Sequence, residues 1–185
     1  MKGVFLKGVL TATITLLLLT GSARAQDNDG CTNATLTGDY AFTVSGQIFM
    51  PNGSIVQRDG IAMTHFDGVG HLMQVDFVLS SPNAAPPPGP SPSDPTTGFH
   101  NGESGTYTVN SDCTGHFEIV NPSITLHTGA TISGARIDVK FVLSNRGRSI
   151  HTIVTSIIPP GAPGPVPALI HSEGYKLEHV PKGSD

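Results

Sequence analysis

The chain has 185 residues, with 10 basic and 14 acidic side chains and a formal net charge of −4. This length is typical of one domain, and no basic cluster occurs anywhere along it. Because the net negative charge repels phosphate backbones, we predict no binding to nucleic acid.

The N-terminal residues have the organisation of a bacterial-type secretory signal. Lys2 and Lys7 precede an apolar run over residues 8–20, and Ala23-Arg24-Ala25 follows as a small-x-small cleavage site. An uncleaved membrane anchor is the alternative, but the run is shorter than the roughly 20 residues that span a bilayer. We predict cleavage of residues 1–25 and an exported, periplasmic or secreted protein with no stable membrane insertion.

The remaining chain is predicted to form a single domain over residues 26–180, followed by a disordered tail at 181–185. It carries seven basic and 14 acidic residues. A chain of this size can bury about two-thirds of its unfolded surface, which is enough for a hydrophobic core.

The chain contains two cysteines, Cys31 and Cys113. An even number of cysteines in an oxidising compartment predicts a disulfide between them. The alternative is a redox or metal-binding pair, but the sequence has neither a Cys-x-x-Cys spacing nor a cysteine-histidine cluster.

Short alternating runs separated by Gly, Pro, Asn and Asp predict β-strands throughout. The first run places Tyr40, Phe42, Val44 and Ile48 on one face, and Asp67-Gly68 predicts a hairpin between the second and third runs. Strands are predicted at 36–49, 55–66, 71–79, 105–109, 116–120, 123–126, 132–144, 149–158 and 168–179.

A proline-rich stretch over residues 82–98 interrupts this pattern. Proline cannot donate to a sheet ladder, so the stretch is predicted to leave the sheet as an exposed loop. A linker between two domains is the competing interpretation, but neither flank is long enough for a convincing separate core.

About eight or nine strands in hairpin order must protect their edges. We therefore predict an all-β fold, an antiparallel closed or nearly closed barrel of up-and-down topology. A β-sandwich is the alternative.

Three segments contain short motifs. Residues 31–42 read Cys-x-x-Ala-Thr-Leu-x-Gly-x-Tyr-x-Phe, residues 66–70 read Phe-Asp-Gly-x-Gly, and residues 105–115 read Gly-Thr-Tyr-Thr-Val-x-x-Asp-Cys-Thr-Gly. Together these segments resemble a family of uncharacterised exported bacterial proteins. The Gly-x-Tyr and Gly-Thr-Tyr strands are also distantly similar to calycin-like barrels of the allene oxide cyclase and dirigent type. The resemblance implies a small exported barrel and assigns no functional residues.

No catalytic or metal-binding motif is evident, and no cofactor is predicted. His65 with Asp67, and His116 with Glu118, have the i, i+2 spacing that places two ligands on one strand face, but such pairs are common on solvated strands. Gly-x-Ser-x-Gly is absent. The carboxylates considered for acid–base chemistry are Asp76, Glu103, Glu118 and Asp138, and nothing in the sequence indicates that they converge.

A barrel with an apolar interior suggests binding of a small apolar ligand. The predicted lining residues are Tyr40, Phe42, Met63, Met73, Phe77, Tyr107, Phe117 and Phe141. The same side chains also fit a solidly filled core. A structural or surface-interaction protein and a cyclase- or isomerase-type barrel enzyme are the alternative functions.

Overall fold

The computed structural model describes residues 30–81, 98–126 and 128–178. The predicted signal peptide, nearly all of the proline-rich stretch and the predicted tail lie outside these described residues. The described residues therefore all belong to the predicted single domain over residues 26–180.

The described residues contain ten strands. They are β1 (Thr37–Phe49), β2 (Ile55–Asp67), β3 (His71–Ser80), β4 (His100–Val109), β5 (Thr114–Val120), β6 (Ile124–Thr125), β7 (Thr131–Ile132), β8 (Arg136–Ser144), β9 (Ser149–Ile158) and β10 (Ala168–Lys176). Within those ranges the helical segments are two three-residue 3-10 turns, Asn33–Thr35 and Asn145–Gly147.

Eight of the strands close into an antiparallel barrel in the order β1-β10-β9-β8-β5-β4-β3-β2. Sequential neighbours pair around the barrel, and β6 and β7 form a separate two-stranded ribbon between β5 and β8. The predicted all-β closed barrel is confirmed, and the sandwich alternative is excluded. Closure leaves the eight strands without free edges.

The hairpin between β2 and β3 shows how local sequence sets the strand register. The Asp67 carboxylate accepts hydrogen bonds from the backbone N–H groups of Val69, Gly70 and His71, at 2.8, 2.9 and 3.0 Å. These bonds, led by the one from His71, hold the pKa of Asp67 well below its usual range. Gly68 takes the positive φ that this turn requires.

One end of the barrel is filled by aromatic side chains. Phe66 lies at its centre and makes edge-to-face contacts with Tyr40 and Tyr107, at centroid distances of 5.5 and 5.1 Å. The Tyr107 hydroxyl donates to the Leu36 carbonyl oxygen at 2.8 Å, and the Tyr40 hydroxyl donates to the Gly147 carbonyl oxygen. Burial raises the pKa of Tyr40 to about 12.

The predicted disulfide joins Cys31 to Cys113 at this filled end, with a Cα–Cα distance of 4.9 Å. Both cysteines pack against the aromatic cluster. The disulfide therefore ties the segment preceding β1 to the β4–β5 hairpin. No helix in the described ranges is long and apolar enough to cross a membrane.

Candidate ligand cavity

The opposite half of the barrel encloses a cavity of about 930 Å³. Phe42 and Phe117 line it on the side of the aromatic cluster. Its other lining residues extend to the strand ends at Ile48, Ser80 and Ile157, which lie at the same end of the antiparallel barrel. The cavity therefore opens at the end opposite the disulfide.

One wall of the cavity is apolar. It is built by β8, β9, β10 and β1, whose inward side chains include Ile137, Val139, Val154, Ile170 and Val44. Lower on this side, the hydroxyls of Thr152 and Ser172 hydrogen-bond to each other across β9 and β10. Pairing satisfies these polar groups within an otherwise apolar surface.

The facing wall is polar. It is formed by β2, β3, β4 and the residue that follows β5, and its polar side chains are Arg58, Thr64, Gln74, Asp76, His100, Glu103 and Asn121. A ligand in the cavity would meet hydrocarbon on one side and hydrogen-bonding groups on the other.

Glu103 is the most deeply buried charged residue of this wall, with 2% of its surface exposed. Gln74 Nε2 donates to Glu103 Oε2 at 2.8 Å, and Asn121 Nδ2 donates to Glu103 Oε1. Thr64 Oγ1 donates in turn to Gln74 Oε1 at 2.8 Å, which fixes the orientation of the Gln74 amide. The carboxyl group is therefore held in one position by neighbouring strands.

Burial raises the pKa of Glu103 to about 7, and the negative charge of Asp76 acts in the same direction. The amide donors Gln74 and Asn121 oppose this shift by stabilising the carboxylate, but burial outweighs them. Glu103 consequently changes its protonation state near neutral pH.

Closer to the mouth, His100 Nδ1 lies 3.1 Å from Asp76 Oδ1. Burial raises the pKa of Asp76, while His100 and Arg58 oppose the shift. Burial also lowers the pKa of Arg58, against the effect of the Asp76 charge. These three groups place both signs of charge on the polar wall above Glu103.

The eight predicted lining residues divide between the two faces of the barrel. Five point inward and are buried: Tyr40, Phe42, Tyr107, Phe117 and Phe141. Phe42 and Phe117 line the cavity, and the other three belong to the filled end.

Met63, Met73 and Phe77 instead lie on the outer face, with 45%, 65% and 38% of their surfaces exposed. Adjacent residues of a strand point to opposite sides, and the inner positions of β3 are occupied by Leu72, Gln74, Asp76 and Val78. These three side chains therefore do not line the interior. Met63 and Val75 are cross-strand neighbours in an outer apolar patch, as are Ile61 and Phe77.

The two histidine–carboxylate pairs considered for metal binding lie on strands that are not neighbours in the barrel. His65 Nδ1 contacts Asp39 Oδ1 at 2.7 Å, and Glu118 pairs with Arg136. In the part of the chain that the structure describes, no group of three His, Cys, Asp or Glu side chains is placed to hold a metal ion.

Of the four carboxylates considered for acid–base chemistry, Asp76 and Glu103 face the cavity. Glu118 and Asp138 lie outside and interact with Arg136. Sequence reasoning missed this convergence, although Glu103 has the same parity as Tyr107 and Val109, which alternate with polar residues in the sequence and are buried. Extending that alternation back along β4 would have placed Glu103 inside the barrel.

No protein-family model matches the chain, and no similar curated protein or solved structure was found.

Proposed function

We propose that the protein binds a small, largely apolar molecule in the open half of its barrel. The observation that carries this proposal is the contrast between the two halves, one filled by aromatic rings and the other enclosing about 930 Å³. Pockets for small molecules typically have volumes of about 300–1,000 Å³ and mainly apolar walls with a few fixed polar groups.

The two unlike walls define the chemistry of the ligand. Its hydrocarbon body would pack against Val139, Val154 and Ile170, and the area removed from water would supply most of the binding free energy. Its hydroxyl or carbonyl groups would face the polar wall, because a buried polar group needs a hydrogen-bonding partner. A purely hydrocarbon ligand would leave that wall desolvated without compensation.

We infer that the protein acts outside the cytoplasm. The disulfide is typical of an oxidising compartment, and the sequence of residues 1–25 has the features of a secretory signal. The resemblance to exported bacterial barrels and, more distantly, to calycin-like barrels supports the same proposal.

Titration of the purified protein with N-phenylnaphthylamine, a neutral fluorescent probe that brightens in apolar surroundings, tests the proposal. We expect saturable binding with one site per chain. Val154→Trp should weaken it at least about tenfold by filling the cavity, since Val154 faces inward. Ile153→Trp, at the adjacent outward-facing position, should bind as the wild type does.

Native mass spectrometry of protein purified from the exporting host gives a second readout of a retained small molecule. Absence of saturable probe binding by the folded wild type would overturn the proposal. Equal binding by Val154→Trp and the wild type would also overturn it, because the probe would then lie elsewhere.

A further inference from the structure

We propose that the cavity is also a proton-transfer site, in which Glu103 acts as the general base on an activated C–H bond of the bound molecule. The substrate class is a small, mainly apolar carbon acid, such as a ketone whose acidic hydrogen is on the carbon next to the carbonyl group. This inference rests on the proposed function, since the substrate must first enter the cavity.

The position of Glu103 meets the geometric requirement for a base. Its carboxyl group lines the cavity, and Gln74 and Asn121 fix it from two directions. A carboxylate has about four lone-pair directions, and the two amide donors use two of them. In the proposed reaction, one of the remaining lone pairs accepts the proton from a molecule inside the barrel.

The surroundings strengthen that base. With 2% of its surface exposed, Glu103 has almost no water to stabilise its charge, and the facing wall is mainly apolar. A desolvated carboxylate takes a proton more readily than one in water. A general base works best when its pKa is near the operating pH, which is where burial places the pKa of this group.

The reaction needs no other reactant. Glu103 takes the proton, the C–H electron pair becomes the C=C bond of an enolate, and the carbonyl π pair moves to oxygen. In a ketone that carries a C=C bond beyond that carbon, the enolate is a dienolate, and the same carboxyl group returns the proton to its far carbon. The oxygen electron pair re-forms the carbonyl group, the C=C bond moves into conjugation with it, and the carboxylate is regenerated. The positive charge of Arg58 would favour the enolate oxygen on this wall.

The titratable groups that share the polar wall with Glu103 come from three strands. They are Arg58 on β2, Asp76 on β3 and His100 on β4. Among the described lining residues, the facing strands β8, β9, β10 and β1 contribute no titratable side chain. Asp76 is therefore the acidic neighbour whose removal changes the titration of Glu103 most directly.

Ring opening of nitrobenzisoxazole is the test reaction. A base removes the isoxazole hydrogen, the C–H electron pair forms the nitrile as the N–O bond breaks, and the coloured cyanonitrophenolate is released. We expect the wild-type rate to rise with pH through about 7. Glu103→Gln should lower it about 100-fold, the usual contribution of a general base. Glu118→Gln, which alters an outward-facing carboxylate, should leave it unchanged.

The pH–rate profile of Asp76→Asn distinguishes a general base from a residue with a purely structural role, because a structural role of Glu103 would not make that profile shift. Loss of the Asp76 charge should shift the pH–rate midpoint to lower pH, because that charge raises the pKa of Glu103. Equal rates for the wild type and Glu103→Gln, or an unmoved midpoint in Asp76→Asn, would overturn the inference.

Binding of N-phenylnaphthylamine separates the two proposals. If the wild type and Glu103→Gln both bind this probe and neither opens the ring, proton transfer is wrong and ligand binding stands. If the folded wild type does not bind the probe, the proposed function itself fails.

Discussion

Gln74 and Glu103 face each other across β3 and β4, and the Gln74 amide donates to the Glu103 carboxylate at 2.8 Å. Two residues further along β3, Asp76 pairs with His100, so β4 contains one more residue than β3 between these two pairs. This extra residue is a β-bulge, and a bulge changes the direction in which the neighbouring side chains point. It allows His100 and Glu103, three residues apart, to line the same cavity.

The buried carboxyl group predicts a specific pH dependence of stability. The pKa of Glu103 rises from 4.5 to about 7 in the folded protein, so the folded state holds this proton more tightly than the unfolded state does. The free energy of unfolding should therefore fall as pH rises from 4.5 to about 7, by about 3 kcal/mol in total, and then level off.

Urea unfolding at a series of pH values checks this expectation. Glu103→Gln should remove most of the decline and leave the part contributed by Asp76, whose pKa burial also raises. Glu118→Gln should keep the full wild-type profile. A Glu103→Gln protein with an unchanged decline would show that another group is responsible.

The disulfide should contribute substantially to stability. Cys31 and Cys113 are separated by 82 positions, and closing a loop of that length stabilises by about 4 kcal/mol in the chain-entropy model. The double variant Cys31→Ser/Cys113→Ser should lose about that much free energy of unfolding in urea. Reductant should destabilise the wild type to the same degree and have no effect on the double variant. A loss below about 1 kcal/mol would contradict this account.

The fold followed from the sequence because the barrel scaffold obeys simple rules. The alternating apolar and polar runs and the turn residues predicted the strands, and the even number of cysteines predicted the disulfide. On β1, Tyr40 and Phe42 pack inside while Ala41 and Thr43 are exposed, so the face with the large apolar side chains is the inner face. Hydrophobic alternation is a sound guide wherever the interior is filled.

The candidate site could not be predicted in the same way, because in the open half of the barrel the more apolar face of a strand can be the outer face. On β3 the apolar face, which carries Met73 and Phe77, lies outside, while Gln74 and Asp76 face the cavity. On β4 the bulge breaks the two-residue period between His100 and Glu103. Neither the outward apolar face of β3 nor the bulge on β4 changes the local strand propensity, so both are visible only in the closed barrel.

The inner and outer phenylalanines should differ sharply in their effect on stability. Phe117 is 5% exposed and contacts Phe66 and Phe141. Phe117→Ala should therefore cost about 4 kcal/mol. Phe77 is on the outer face with Phe99 at a centroid distance of 5.8 Å, and Phe77→Ala should cost less than about 1 kcal/mol. Thermal and urea unfolding of both variants measure the difference, and equal losses would contradict the assignment of faces.

Gly105 should be essential to the closed barrel, because β4 and β5 approach each other too closely for a side chain there. A Cβ atom at Gly105 would lie 1.7 Å from the Glu118 carbonyl oxygen, and that backbone cannot move without disturbing the β4–β5 ladder. Gly105→Ala should cost at least about 2 kcal/mol. It should also weaken probe binding in the cavity, since Glu103 lies two residues away on the same strand.

Gly164→Ala is the matched control for this substitution. A Cβ atom at Gly164 would meet nothing within 4 Å, and Gly164 is not among the glycines with a positive φ. Alanine at such a position leaves stability unchanged or raises it by about 0.5 kcal/mol, by reducing the freedom of the unfolded chain. If the two alanine variants unfold at the same urea concentration, the close approach of β4 and β5 is not what requires glycine at position 105.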